Sequence, residues 1–219
     1  MTRTIFEQEL QELNLDLIRM GSMAEEAISQ AMQALNTCDI ALAKKVIEND
    51  DRINDATRHI ESRSMKIIMK QQPVASDLRA VSAALKMATD LERIGDQAAD
   101  IAEIAISLCK HSNTEKPEHL KDMEDTAIKM VKSAVDCYVR MDEPLAENVI
   151  AMDDEQDALF NTTKNELMDI AYQSRDKIDY VADYLMIIKY LERISDHAEN
   201  IADWTLFAIS GIHKNEHIL

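Results

Sequence analysis

Apolar residues recur along most of the chain at alternating steps of three and four, which is typical of the buried face of a long helix. In the first half this pattern predicts one helix from Thr4 to about Asn36 and a second from the N-cap Asp39 to about Gln71. Pro73 should end the second helix, and a third should begin at Ser76–Asp77 and run to about Cys109. The first half therefore reads as three long helices joined by short turns.

The second half repeats this organisation with slightly different spacings. Its helices are predicted from Pro117 to Met141, from about Ile150 to Tyr172, and from the end of a loop at Arg175–Asp179 to about Gly211. Pro144 is expected to break the chain before the middle helix. The final residues are expected to fray.

A sequence repeat explains the likeness of the two halves. Leu91–Glu103 (LERIGDQAADIAE) returns one hundred positions later as Leu191–Asp203 (LERISDHAENIAD), with eight of thirteen positions identical. Such a match indicates an internal duplication. Short connections make neighbouring helices antiparallel, so we predict an all-α fold of two tandem antiparallel three-helix bundles, covering residues 1–112 and 113–219.

Composition agrees with an all-helical protein, because only three glycines and three prolines occur among 219 residues. The net charge of −17 makes nucleic acid and anionic membranes poor partners and makes cations or basic protein surfaces better ones. No segment is apolar enough for a signal sequence or a membrane span, and the three cysteines show no paired spacing. We therefore expect a cytoplasmic chain with no membrane insertion and no disulfide framework.

Acidic pairs lie on the polar side of the two repeated helices. Glu92 and Asp96 are one helical turn apart and lie roughly opposite the apolar face, and Glu192 and Asp196 repeat them. Two like charges at this spacing cost about 0.2–0.5 kcal/mol unless a cation lies between them. These four carboxylates are therefore candidate metal ligands.

Further acidic pairs occur on the middle helix of each half, at Asp51/Asp55 and at Asp153/Asp157. In an antiparallel bundle the start of the middle helix lies beside the end of the third helix, so the pairs on both helices can meet on one surface. Carboxylate oxygens favour hard cations such as Mg²⁺, Ca²⁺, Mn²⁺ or iron. Candidate cofactors are therefore divalent or trivalent ions (Fe, Mn, Mg or Zn), with zinc disfavoured because no Cys/His ligand spacing is present.

Three alternatives to a metal-binding adaptor remain, two of which concern the same acidic residues. They are ordinary solvated faces of an acidic helical protein, or they form a multi-metal cluster with phosphatase-like or oxidase activity. A third alternative is a histidine phosphotransfer domain, for which His59 is the candidate. No Ser-His-Asp order, Gly-rich phosphate loop or nucleotide fingerprint occurs, so we predict a binding module and not an enzyme.

Two segments carry a resemblance to a known family. Gln72–Glu103 (QPVASDLRAVSAALKMATDLERIGDQAADIAE) and Lys189–Ala202 (KYLERISDHAENIA) resemble the PhoU family of bacterial phosphate-uptake accessory and regulatory proteins, and the likeness extends over nearly the whole chain. The resemblance implies two similar three-helix bundles and a cytoplasmic protein that is often a homodimer. It also implies repression of the phosphate-starvation response, through contact with a phosphate ABC transporter ATPase and a sensor histidine kinase that controls a response regulator.

The resemblance also implies metal clusters on the bundle surface, held by paired acidic motifs. Those motifs fall on Glu92/Asp96 and Glu192/Asp196, with partners at Asp153/Asp157 and at either Asp50/Asn54 or Asp51/Asp55. The family often carries His where this chain has Gln97 and His197, so the two faces differ here.

Overall fold

Six helices account for almost all of the fold. The computed structural model describes residues 2–110, 116–213 and 216–217. The helices are α1 (Thr2–Thr37), α2 (Ile40–Gln71), α3 (Ser76–Leu108), α4 (Leu120–Arg140), α5 (Glu143–Gln173) and α6 (Ile178–Ser210). They form the two tandem three-helix bundles predicted from the sequence. The predicted boundary between residues 112 and 113 lies outside the described residues.

The first turn of each bundle has the same construction. Cys38 and Met141 both adopt left-handed backbone conformations, with φ of 52° and 51°. The carboxylates of the following residues, Asp39 and Asp142, accept the backbone N–H of Leu42 at 3.0 Å and of Leu145 at 3.1 Å. These N-caps satisfy backbone donors that a helix end otherwise leaves without partners. The shared geometry places the α1–α2 and α4–α5 hairpins in register, 103 positions apart.

The predicted break at Pro144 is wrong. Helix α5 begins at Glu143, so Pro144 lies in its first turn. A proline is tolerated there because the backbone N–H that it lacks has no intrahelical partner at that position. Helix α3 begins at Ser76, as predicted, and the preceding Ala75, with φ of 50°, makes no side-chain cap.

The two bundles pack against each other along α3 and α6 and along α1 and α4. At one end of the α3–α6 contact, Arg79 donates to the backbone oxygens of Ala208 at 3.4 Å and Ile209 at 3.3 Å. Further along, His197 Nδ1 lies 2.9 Å from Asp90 Oδ1. Early residues of α3 thus meet late residues of α6, so these helices are antiparallel. One continuous apolar core links the bundles.

Two glycines lie where helices approach most closely. A Cβ on Gly95 of α3 would come within 2.8 Å of Ile53 on α2, in agreement with the close approach that a small residue there favours. A Cβ on Gly21 of α1 would come within 2.8 Å of Val135 on α4, at the contact between the bundles. The absence of a side chain lets both pairs of helices pack closely.

After α6, the chain reverses at Gly211, whose φ is 83°. Two two-residue strands, β1 (Ile212–His213) and β2 (Glu216–His217), then pair antiparallel where fraying was expected. The His213 ring stacks on Trp204 of α6 with centroids 3.9 Å apart, which attaches this ribbon to the bundle. None of the helices in the described ranges has a long enough apolar stretch to cross a lipid bilayer.

Candidate metal-binding acidic faces

The first acidic face lies between α2 and α3 and consists of Asp50, Asn54, Glu92 and Asp96. The close packing of Gly95 on Ile53 brings the two helices together there, and Asp50 Oδ1 lies only 3.2 Å from where a Gly95 Cβ would be. The Asn54 amide donates to Asp50 Oδ2 at 3.0 Å. Asp96 accepts from Arg93 of its own helix at 2.9 Å.

Asp50 is the residue of this face whose pKa and hydrogen bonding are altered by its surroundings. Burial, followed by the carboxylate of Asp96, raises its pKa, and the Asn54 amide opposes the shift. Its Oδ1 atom is buried and has no hydrogen-bond partner among the described residues. A partly buried carboxylate oxygen in this situation is stabilised by a proton or by a cation.

The two alternative acidic motifs on α2, Asp50/Asn54 and Asp51/Asp55, occupy different sides of the helix. Asp50 and Asn54 are the residues beside Asp96, on the side of α2 that packs against α3. Asp51 and Asp55, predicted as ligands from their all-acidic spacing, are exposed, and Asp55 forms an ion pair with Arg58 on its own helix. Their side chains follow Asp50 and Asn54 by about 100°, which moves them off the α2–α3 contact.

The second acidic face lies between α5 and α6 and consists of Asp153, Asp157, Glu192 and Asp196. Burial raises the pKa of Asp153 to about 7, with the carboxylates of Glu199, Asp196, Asp157 and Glu192 adding to the shift. Burial and then Glu192 raise the pKa of Asp196, although Lys189 opposes this. Lys189 also forms an ion pair with Glu192. This face therefore concentrates more negative charge than the first, where Asn54 stands in place of Asp157.

Both acidic faces offer oxygen donors, the set that hard cations prefer. In the part of the chain that the structure describes, neither face brings three carboxylate oxygens within 4.8 Å of one another. Among the described residues, the one group of three His, Cys, Asp or Glu ligand atoms that lie this close together is formed by Glu118, His119 and Glu166. A multivalent cation on either acidic face would therefore need water ligands or a small inward movement of the side chains. Such an ion would relieve the like-charge repulsion that, after burial, raises the pKa of Asp50 and Asp153.

The histidines singled out from the sequence have other contacts. His197, beside Asp196, pairs with Asp90 across the α3–α6 contact. His59 is exposed on α2, and its Nε2 lies 3.3 Å from Asp16 Oδ2 on α1. Each imidazole therefore has an acidic neighbour that lies outside the two acidic faces.

One feature of this region was missed from the sequence. Gln156 is fully buried beneath the second acidic face and donates to the backbone oxygens of Met123 and Leu191, both at 3.4 Å. Its duplicated counterpart is the apolar Ile53, which gave no indication of a polar core residue. Of the two registers left open from the sequence, Asp50/Asn54 is the one equivalent to Asp153/Asp157, because Asp50 and Asp153 are 103 positions apart, the same interval that separates the N-caps Asp39 and Asp142.

Comparison with known proteins identifies related chains. The family model described as the PhoU domain matches residues 17–105 and 120–205. A relative from Clostridium acetobutylicum, a "phosphate-specific transport system accessory protein PhoU homolog", is 38% identical over 96% of this chain and 97% of its own. One of the same description from Pseudomonas aeruginosa is 34% identical over 94% of this chain and 86% of its own.

Two crystal structures have the same fold. PhoU from Pseudomonas aeruginosa aligns with a TM-score of 0.89 and 34% identity, over 94% of this chain and 99% of that one. The phosphate transport system regulatory protein PhoU from Streptococcus pneumoniae aligns with a TM-score of 0.87 and 27% identity, over 98% of this chain and 99% of that one. The likeness therefore covers both bundles and their mutual packing.

Proposed function

The chain belongs to the PhoU family, and on that premise we propose that it is a cytoplasmic accessory protein of a phosphate transport system. Its proposed role is that of an adaptor which represses the phosphate-starvation response when phosphate is plentiful. Its partners in this role are the ATPase of a phosphate ABC transporter and a sensor histidine kinase. The observation that carries the proposal is the duplicated acidic surface on a full-length PhoU fold.

The two acidic faces are the proposed regulatory surface. We propose that Asp50, Glu92 and Asp96 hold one multivalent cation, and that Asp153, Glu192 and Asp196 hold another. Support comes from the buried, unpartnered Oδ1 of Asp50 and from the raised pKa of Asp153, which burial causes and the neighbouring carboxylates increase. A bound ion would supply positive charge to oxygen donors and leave the core untouched.

Changes in cation occupancy would alter docking through surface charge. Without cations, the carboxylates repel acidic partner surfaces and attract basic ones. With cations, that attraction weakens and water-filled coordination positions become available to partner carboxylates. The rigid helices keep each face in a fixed place, so the switch needs no large rearrangement of the bundles.

A genetic test addresses the regulatory role. A bacterium that lacks its own PhoU protein and carries a reporter under a phosphate-starvation promoter would be grown in high phosphate with and without this chain. Expression of the chain should repress the reporter. Full derepression despite normal accumulation of folded protein would reject the regulatory proposal.

A matched pair of variants addresses the second acidic face. Asp153→Asn with Asp196→Asn removes two charges from the second acidic face, whereas Asp154→Asn with Asp55→Asn removes two exposed carboxylates that lie outside both faces. The first double variant should lose repression and the second should retain it. Equal repression by both variants would leave the family role standing and reject the second acidic face as part of its regulatory surface.

A further inference from the structure

The three cysteines have very different surroundings. Cys38 is exposed in the α1–α2 turn, and Cys109 is partly buried just after α3. Cys137 is fully buried in α4, where its thiol donates to the Ala134 oxygen at 3.1 Å. Two of the thiols are therefore accessible and the third is enclosed in the core.

The topology brings the two accessible cysteines together. The chain reverses direction before and after α2, so α1 and α3 run parallel. Their C-terminal ends therefore lie at the same end of the first bundle. There the thiols of Cys38 and Cys109 lie next to each other. Tyr184 of α6 lies near both thiols. The contact joins positions that are 71 residues apart in the sequence.

We propose that Cys38 and Cys109 form a reversible intramolecular disulfide when the protein meets a peroxide. The Cys38 thiolate attacks one peroxide oxygen, the O–O bond breaks, and Cys38 becomes a sulfenic acid. Cys109 then attacks the Cys38 sulfur, the S–S bond forms, and water leaves. Overall, two thiols are oxidised by two electrons, and one hydrogen peroxide is reduced to two waters.

The surroundings of the two thiols determine this order of reaction. Cys38 is the one that an oxidant reaches from solvent. Burial and the Cys38 contact raise the pKa of Cys109 to about 11, while the Lys116 ammonium opposes the shift. Cys109 is thus mostly protonated at neutral pH and a poor first nucleophile, but its direct contact with Cys38 gives it a high effective concentration for the second step.

The bond would lock only one of the two bundles. It would connect the α1–α2 turn to the end of α3 and enclose α2 and α3, which carry the first acidic face. The duplicated positions in the second bundle are Met141 and Ile209, which cannot form such a bond. Oxidation would therefore restrain the first acidic face and leave the second unchanged.

Mass spectrometry of the full-length chain tests the proposal. Reduced protein would be treated with hydrogen peroxide, unfolded and alkylated with iodoacetamide. Reduced protein should take up three labels and oxidised protein one, on Cys137, with a linked Cys38–Cys109 peptide that dithiothreitol separates. Cys137→Ala should still form the link, and Cys38→Ser should leave Cys109 open to alkylation.

A stability measurement gives a second readout. A link that closes a loop of about 70 residues should raise the Tm of the oxidised protein by several degrees, on the order of 10 °C, with no change for Cys38→Ser. Circular dichroism would first confirm that the variants are helical. Overoxidised Cys38 beside free Cys109, or intermolecular dimers joined through Cys38, would overturn the proposal.

Discussion

Arg63 Nε of α2 lies 2.9 Å from Asp16 Oδ2 of α1, and the duplicated positions in the second bundle carry the opposite charges. Those positions, 103 residues later, are Glu166 on α5 and His119 just before α4, and their side chains also pair. In the first bundle the acid thus lies on the first helix and the base on the second. In the second bundle the base lies just before the first helix and the acid on the second.

Exchanging the charges of the first pair provides a test of their coupling. Arg63→Glu places a third carboxylate beside Asp16 and Glu12 and should destabilise the protein by about 2 kcal/mol. Adding Asp16→His, which copies the second bundle, should recover about 1 kcal/mol of the free energy of unfolding at pH 6. Urea denaturation of both single variants and the double variant measures this. Strict additivity would show that the two positions act independently.

The pair formed by His119 and Glu166 predicts a shift in the pKa of His119. The hydrogen bond to Glu166 raises the pKa of His119 above its ordinary value of 6.5. The stabilisation from this pair is therefore complete below the unfolded-state pKa and is lost as pH rises through the folded-state pKa. Glu166→Gln should lower the pKa of His119, as measured by NMR of its ring protons. An unchanged titration would show that the pair does not form in solution.

The half-buried Asp153 predicts that stability changes with pH in the opposite direction from that which ordinary surface carboxylates give. Its folded-state pKa of about 7 exceeds the unfolded-state value of 3.8, so the folded protein binds the proton more tightly. Stability therefore falls as pH rises from about 4 to 7, by on the order of 1 kcal/mol after allowance for solvent screening. In chelator, Asp153→Asn should flatten this slope, whereas Asp154→Asn should leave it unchanged.

Multivalent cations should reverse that loss of stability. An ion present at about 100 times its dissociation constant adds about 2.7 kcal/mol to the free energy of unfolding. We therefore expect Mn²⁺ or Mg²⁺ at pH 7 to raise the Tm of the wild type. Asp153→Asn with Asp196→Asn should reduce the increase, and Asp154→Asn should preserve it. An equal increase in all three proteins would indicate nonspecific screening.

Close packing at Gly21 predicts a destabilising alanine substitution. Alanine ordinarily improves a helix by about 1 kcal/mol relative to glycine. At Gly21, however, the added Cβ would meet the branched side chain of Val135 at 2.8 Å. We expect Gly21→Ala to lower the free energy of unfolding by about 1–2 kcal/mol, whereas Ser22→Ala on the exposed side of the same helix should not. Stabilisation by Gly21→Ala would show that the contact between α1 and α4 is loose.

Much of the fold follows from sequence, because the apolar periodicity and the repeat both report on burial along a helix. Helix α5 was the main error, since a proline at the first turn and a proline that ends a helix look alike until the cap at Asp142 is seen. Two-residue strands such as β1 have too few residues to show a periodic pattern.

The candidate site was harder to predict than the fold. Each acidic pair was visible from its spacing, yet the choice between Asp50 and Asp51 depends on which side of α2 packs against α3. The contact between Cys38 and Cys109 could not be read from the sequence, because no local pattern links positions so far apart.

The antiparallel contact between α3 and α6 relates the repeats as subunits of a symmetric dimer are related. An ancestral single repeat would have needed a second copy to cover that apolar surface, and both copies would have carried identical side chains. Fusion into one gene keeps the partners together at any protein concentration. It also lets each half change separately, so that Asn54 can stand on one side of the molecule where Asp157 stands on the other.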